Sequence, residues 1–78
     1  MSHQIIAPLP GIFYRRPAPD KPVLVEVGDT VEAGQAIGLI EIMKQFNEVR
    51  ADVAGKIVEF HVEDNGMIGP GDVIATIE

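Results

Sequence analysis

Along this 78-residue chain, apolar positions come in short bursts of alternation and not in a helical period. The runs "AIGLIEI" (36–42) and "DVIATIE" (72–78) are rich in β-branched residues and read as strands. No ten-residue segment sustains a 3.6-residue apolar period, and Pro or Gly interrupts every candidate helix. Turn residues separate the bursts: "VGD" (27–29), "EAGQ" (32–35), "DNG" (64–66) and "GPGD" (69–72). The pattern predicts an all-β chain.

The bursts also repeat. At a constant offset of 37, "VEVGDTVEAGQAIGLIE" (25–41) aligns without a gap on "VEDNGMIGPGDVIATIE" (62–78). A second pair lies upstream, "APLPGIF" (7–13) on "ADVAGKI" (51–57), with Ala and Gly in the same places. Neither half could bury an apolar face alone, so two halves packed together are expected, as a two-fold pseudo-symmetric sandwich or flattened barrel. The matched apolar residues predict a core of Val25, Val31, Ile37, Ile40, Ile57, Val62, Ile68, Ile74 and Ile77, with Val49 and Ala51 added by position.

Two segments escape the repeat. The first half is seven residues longer between Gly11 and Val25 than the second between Gly55 and Val62, within "YRRPAPDKPVL". The join between the halves, 42–50, has no counterpart either. Strand 36–42 runs in and strand 46–51 runs out, so a turn falls near Met43, Lys44 and Gln45. In so economical a chain, an unmatched loop and an unmatched hairpin tip are the places to look for function. Spacing alone leaves Lys44 as a solvated tip residue. "RR" (15–16) reads as a solvated pair, or as a pair that orients the insertion or meets a partner. His3 and His61 are too few for a metal site without Cys nearby. Glu41 is repeated as Glu78, which suits a structural or surface role.

Composition removes several classes. The chain is 46% hydrophobic, so it is globular. With no cysteine, disulfides, thiolate metal sites and cysteine nucleophiles are out. A net charge of −6 argues against nucleic-acid or anionic-membrane partners. "MSHQIIAPLPG" shows no basic region followed by a long apolar one, and no apolar run could span a bilayer. The expectation is a cytoplasmic protein folded as one domain, residues 1–78, with an insertion at about 15–23.

Three stretches carry a resemblance. "EIMK" (41–44) on a hairpin between two similar halves resembles the biotinyl domain of biotin-dependent carboxylases. So does "GDxVxxGQ" (28–35), with Ala51, Gly55 and Ile57. "FYRRPAPDKP" (13–22) is similar to the protruding thumb in the carrier subunit of bacterial acetyl-CoA carboxylase. The seven extra residues found from the repeat fall in that same segment.

The resemblance implies two four-stranded sheets related by a quasi-two-fold axis, with the modified lysine on a hairpin tip. It implies that Lys44 carries covalent biotin and that Glu41, Ile42, Met43 and Gln45 are read by a biotin protein ligase. Ile42 and Gln45 depart from the family's usual Ala or Ser and Met. It also implies a thumb of Arg16, Pro17, Ala18, Pro19, Asp20, Lys21 and Pro22. The domain would then be a non-catalytic carrier: biotin carboxylase loads a carboxyl group and carboxyltransferase removes it, in acetyl-CoA carboxylase and fatty acid synthesis. A lipoyl domain shares the fold and the lysine position, although Met43 and the insertion speak against it. An unmodified β-domain that binds a protein partner is the third reading.

Overall fold

A computed structural model describes residues 2–78. It contains eight strands and, among the described residues, no helix, hence none long and apolar enough to cross a membrane. The strands are β1 (His3–Ile6), β2 (Gly11–Tyr14), β3 (Thr30–Val31), β4 (Ala36–Ile42), β5 (Gln45–Arg50), β6 (Gly55–Phe60), β7 (Gly66–Ile68) and β8 (Val73–Ile77). Two antiparallel four-stranded sheets form, in the orders β1-β8-β6-β3 and β5-β4-β2-β7. One order becomes the other when β1, β8, β6 and β3 are exchanged for β5, β4, β2 and β7. This is the two-fold that the repeat predicts.

The symmetry reaches individual hydrogen bonds. Gly34 N donates to Ala51 O at 2.6 Å, and Gly71 N to Ala7 O at 3.0 Å. Gly28 N donates to Ile57 O, and Asn65 N to Phe13 O. The turn at 32–35 is closed by Glu32 N donating to the Gln35 side chain, and that at 69–72 by Gly69 N donating to Asp72. Even the irregularities match: a bulge falls at Ile37 in β4 and at Ile74 in β8. Strand side chains point to opposite faces in turn, and those facing the other sheet supply the core, although β5 leaves residues 45–48 exposed and buries only Val49.

The core is Ile5, Ala7, Phe13, Val25, Val31, Ile37, Ile40, Val49, Ala51, Ile57, Ile68, Ile74, Ala75 and Ile77. Ten of the eleven expected core residues are there. Val62 is the exception: it is half-buried and packs on the core edge, where the chain leaves β6 for the next turn. Ile5, Ala7, Phe13 and Ala75 were not on the expected list, although Ala7 aligns on Ala51 in the repeat. Phe13 answers to Ile57, a residue of different shape, and Ala75 answers to Gly38. A Cβ on Gly38 would lie 2.5 Å from the Phe13 ring, so the absent side chain on β4 makes room for the larger one on β2. Full burial of each isoleucine contributes roughly 1.5–3 kcal/mol relative to exposure.

Val58 to Phe60 belong to β6, which pairs with β8 as far as Phe60 opposite Ala75, with a bulge at Val58. The short connection of the second half is therefore 61–65, and "VEFH" (58–61) is mostly strand.

Candidate functional site

The hairpin between β4 and β5 turns on two residues. Ile42 pairs with Gln45, so Met43 and Lys44 alone form the loop. Gln45 is thus a strand residue and not part of the turn. Both loop residues have positive φ, 50° at Met43 and 66° at Lys44. That is the two-residue turn whose twist matches a β-hairpin, and it favours Asn-Gly or Gly-Gly. Elsewhere the described residues obey this preference: their other positive-φ positions are Gly28, Gly34, Gly71 and Asn65. Only at the hairpin tip do a thioether and an ammonium side chain sit there. The left-handed region costs an L-residue roughly 1–2 kcal/mol. Strain kept at one exposed turn, where glycine would relieve it, marks a position held for its side chain.

Both side chains project outward. Met43 is 92% exposed, and Lys44 is exposed with no hydrogen bond or ion pair among the described residues. Its neighbours in the expected recognition set are more tied down. Ile42 is half-buried and packs on the core. Glu41 accepts a 2.8 Å hydrogen bond from the Tyr14 hydroxyl. That bond, and the carboxylate's charge, hold the Tyr14 pKa above its ordinary value. The Tyr14 ring also lies 5.9 Å from that of Phe46 on β5. Tyr14 thus touches both strands of the hairpin from β2. Sequence reasoning missed this contact; Tyr14 and Glu41 are 27 residues apart and neither belongs to a local motif.

The insertion leaves the barrel directly after Tyr14. Leu24 N donates to Arg15 O at 2.9 Å and closes its base. A tighter turn, Lys21 N to Ala18 O, forms its end. The two arginines are not a solvated pair. Arg15 lies 4.5 Å over the Phe60 ring, and its guanidinium donates to Val25 O. Arg16 meets Asp64 at 3.4 Å and donates to Lys21 O. Asp64 also accepts from Arg15 N, so one carboxylate of the β6–β7 loop grips both residues at the root of the insertion. An arginine stacked on an aromatic ring, beside an ion pair and backbone hydrogen bonds, orients a loop. The bland reading of "RR" is corrected in favour of an orienting role.

Between the insertion and the hairpin lies a cleft of about 310 Å³. The insertion lines it with Arg16, Pro17, Ala18 and Pro19, β2 and β5 with Tyr14 and Phe46, and the β6–β7 loop with Asp64 and Asn65. Asp20, Lys21 and Pro22 are outside that lining, on the exposed side of the loop. The structure therefore brings part of the expected thumb to the hairpin and leaves the rest apart. The histidines lie elsewhere: His3 contacts Asp52, and His61 contacts Thr76.

The geometry is thus a two-fold β-sandwich with an exposed lysine at positive φ on the tip of its β4–β5 hairpin, unpaired among the described residues. The chain belongs to the biotin/lipoyl attachment family described as biotin-requiring enzyme, which matches residues 3–77. It is 39% identical over 74 residues to the biotin carboxyl carrier protein of acetyl-CoA carboxylase from Pyropia yezoensis, covering 95% of this chain and 47% of that one. It is 46% identical over 61 residues to the protein of the same description from a Nostoc species, covering 78% and 34%. The chain thus spans half or less of the length of these relatives. Among solved structures, urea carboxylase of Kluyveromyces lactis contains a region superposable on the whole chain, with a TM-score of 0.81 and 29% identity, over 6% of that enzyme.

Proposed function

We propose that this chain is a biotin carboxyl carrier domain, with biotin joined through an amide to Nζ of Lys44. The observation that carries the reading is the hairpin: two non-glycine residues held at positive φ, one of them an exposed lysine without a partner among the described residues. The site fits the group. An unencumbered amine can form the amide, and the neighbouring cleft is lined by both apolar and polar side chains. Relatives named as biotin carriers favour biotin over lipoate as the group attached.

Biotin supplies a ring nitrogen that accepts and releases a carboxyl group. The chain contributes position. A covalently held carboxyl group stays at high effective concentration near two active sites and does not diffuse away. The domain catalyses nothing itself. The lysine amine attacks only after giving up a proton, and a biotin protein ligase supplies the base that takes it. Glu41, Ile42, Met43 and Gln45 are the residues that ligase reads. Biotin carboxylase and carboxyltransferase are the further partners, acetyl-CoA carboxylase the parent enzyme, and the cytoplasm the compartment. Residues 16–22 act as a thumb that guides the arm, its three prolines limiting the order lost on contact.

Co-expression with a biotin protein ligase, intact-mass measurement and peptide mapping test the reading. One biotin is expected, on Lys44, and none after Lys44→Arg, with the melting temperature unchanged. Biotin on Lys21 or Lys56 instead would overturn the assignment. A lipoyl group on Lys44 would transfer it to the lipoyl class.

A further inference from the structure

The two sheets are near copies, so each serves as a control for the other. Their inner faces must both be apolar to make the core. Their outer faces carry no such requirement. On the sheet that bears the hairpin, Phe46, Glu41, Ile12 and Met67 stand in one row across β5, β4, β2 and β7. Leu39 and Tyr14 face each other in the next row. Met67 is 87% exposed and Phe46 59%. At the related places on the other sheet, Ile12 becomes Lys56 and Met67 becomes Thr30, which are likewise paired. Leu39 becomes Thr76. At these three places the polar version shows that the fold closes without the apolar side chain, while elsewhere that sheet keeps Ile6 44% exposed on β1. The apolar version therefore has another cause, and exposed apolar surface of this kind marks contact with a partner.

The partner's chemistry follows from the single charge within the apolar row. Glu41 sits between Phe46 and Ile12 with one oxygen on the Tyr14 hydroxyl. The ion pairs among the described residues are His3–Asp52, Arg16–Asp64, Arg50–Glu48 and His61–Glu59, so Glu41 has no cation. Covering an unpaired carboxylate is costly unless the covering surface brings a positive group. A second copy of this chain would bring another Glu41 and another net charge of −6. We infer that the outer face of the β5-β4-β2-β7 sheet docks an enzyme that loads or unloads the arm, through an apolar patch with an arginine or lysine placed for Glu41. The inference rests on the carrier reading. Strands β4 and β5 carry both this row and Lys44, so an enzyme seated here holds the arm at the margin of its contact.

The test borrows the residues of the other sheet. Biotinylated Ile12→Lys/Met67→Thr is compared with the parent in carboxylation by the cognate biotin carboxylase and in transfer by the cognate carboxyltransferase. KM is expected to rise about tenfold or more in at least one step, the equivalent of about 1.4 kcal/mol of docking energy, with kcat little changed. Lys56→Ile/Thr30→Met, the reverse exchange on the other face, should leave both KM values alone. Glu41→Gln should raise KM in the same step at low salt and flatten its dependence on ionic strength. Should the double variant melt early, Met67→Thr alone carries the test, since that side chain buries little. KM within twofold of the parent in both steps, or an equal rise from the control exchange, would overturn the docking face. A parent protein that takes up no biotin on Lys44 would overturn the carrier reading, and the docking face with it.

Discussion

The first half of the barrel holds Phe13 against Gly38, and the second holds Ile57 and Ala75 in the same two places. One side has a large residue facing none, and the other has two of middling size. The backbone hydrogen bonds around them are the same. The core therefore constrains summed volume across a pair and leaves its division free. The unrepeated features follow the opposite rule. The Met43–Lys44 tip and the loop after Tyr14 have no counterpart, and at the tip the chain departs from the residues its own turns prefer. What the fold needs occurs twice; what the proposed chemistry needs occurs once.

The sharpest way to break the first half of that comparison is Gly38→Ala. The new Cβ meets the Phe13 ring at 2.5 Å, and overpacking of this kind costs about 1–3 kcal/mol. Adding Phe13→Ile recreates the arrangement of the second half and should recover most of the loss. Urea unfolding of the two single variants and the double variant checks this, and additive losses would show that the two positions are not coupled.

Shortening the loop after Tyr14 tests the second half. Leu24 N already bonds to Arg15 O, so residues 16–23 can give way to an Asn-Gly turn between those two. The barrel should persist, losing less than about 1 kcal/mol with the half-exposed Arg16–Asp64 pair. Biotin uptake should also persist, while carboxyl transfer with the cognate enzymes falls. A shortened protein that melts far below the parent would make the loop structural. Transfer at the parent rate would make it a tolerated surface loop.

The smallest expected effect concerns Tyr14, the only tyrosine. Its phenolate absorbance therefore reports one group. The midpoint is expected above the usual 10, because the Glu41 carboxylate accepts the hydroxyl proton and repels the phenolate. A pKa raised in the folded state stabilises the protein below the unfolded value and loses that contribution as pH rises through the folded one. Glu41→Gln should bring the midpoint back toward 10. No change would mean that the contact between β2 and the hairpin is absent in solution.

The sequence was legible where strand alternation and turn chemistry act locally. Gly34 and Gly71, the strand runs at 36–42 and 72–78, and a constant offset of 37 were enough to expect two matched halves. The same comparison exposed the insertion and the join, because a repeat makes an unmatched segment visible. Phe13 and Ala75 escaped because their partners compensate in volume and so do not match in type. Arg15 and Arg16 looked solvated because Asp64, which grips them, lies far along the chain.

By itself, then, the sequence determined an all-β two-fold barrel and put a lysine on its unmatched tip, since alternation, glycine turns and repetition are properties of neighbouring residues and equal spacings. Tertiary structure alone decided that Tyr14 clasps Glu41 and Phe46, that the insertion opens a cleft toward the hairpin, and that Ile12, Leu39 and Met67 share one outer face while Lys56, Thr76 and Thr30 share its twin. Those facts depend on which strands lie side by side. Sheet order brings together residues separated by tens of positions, and no local pattern encodes it.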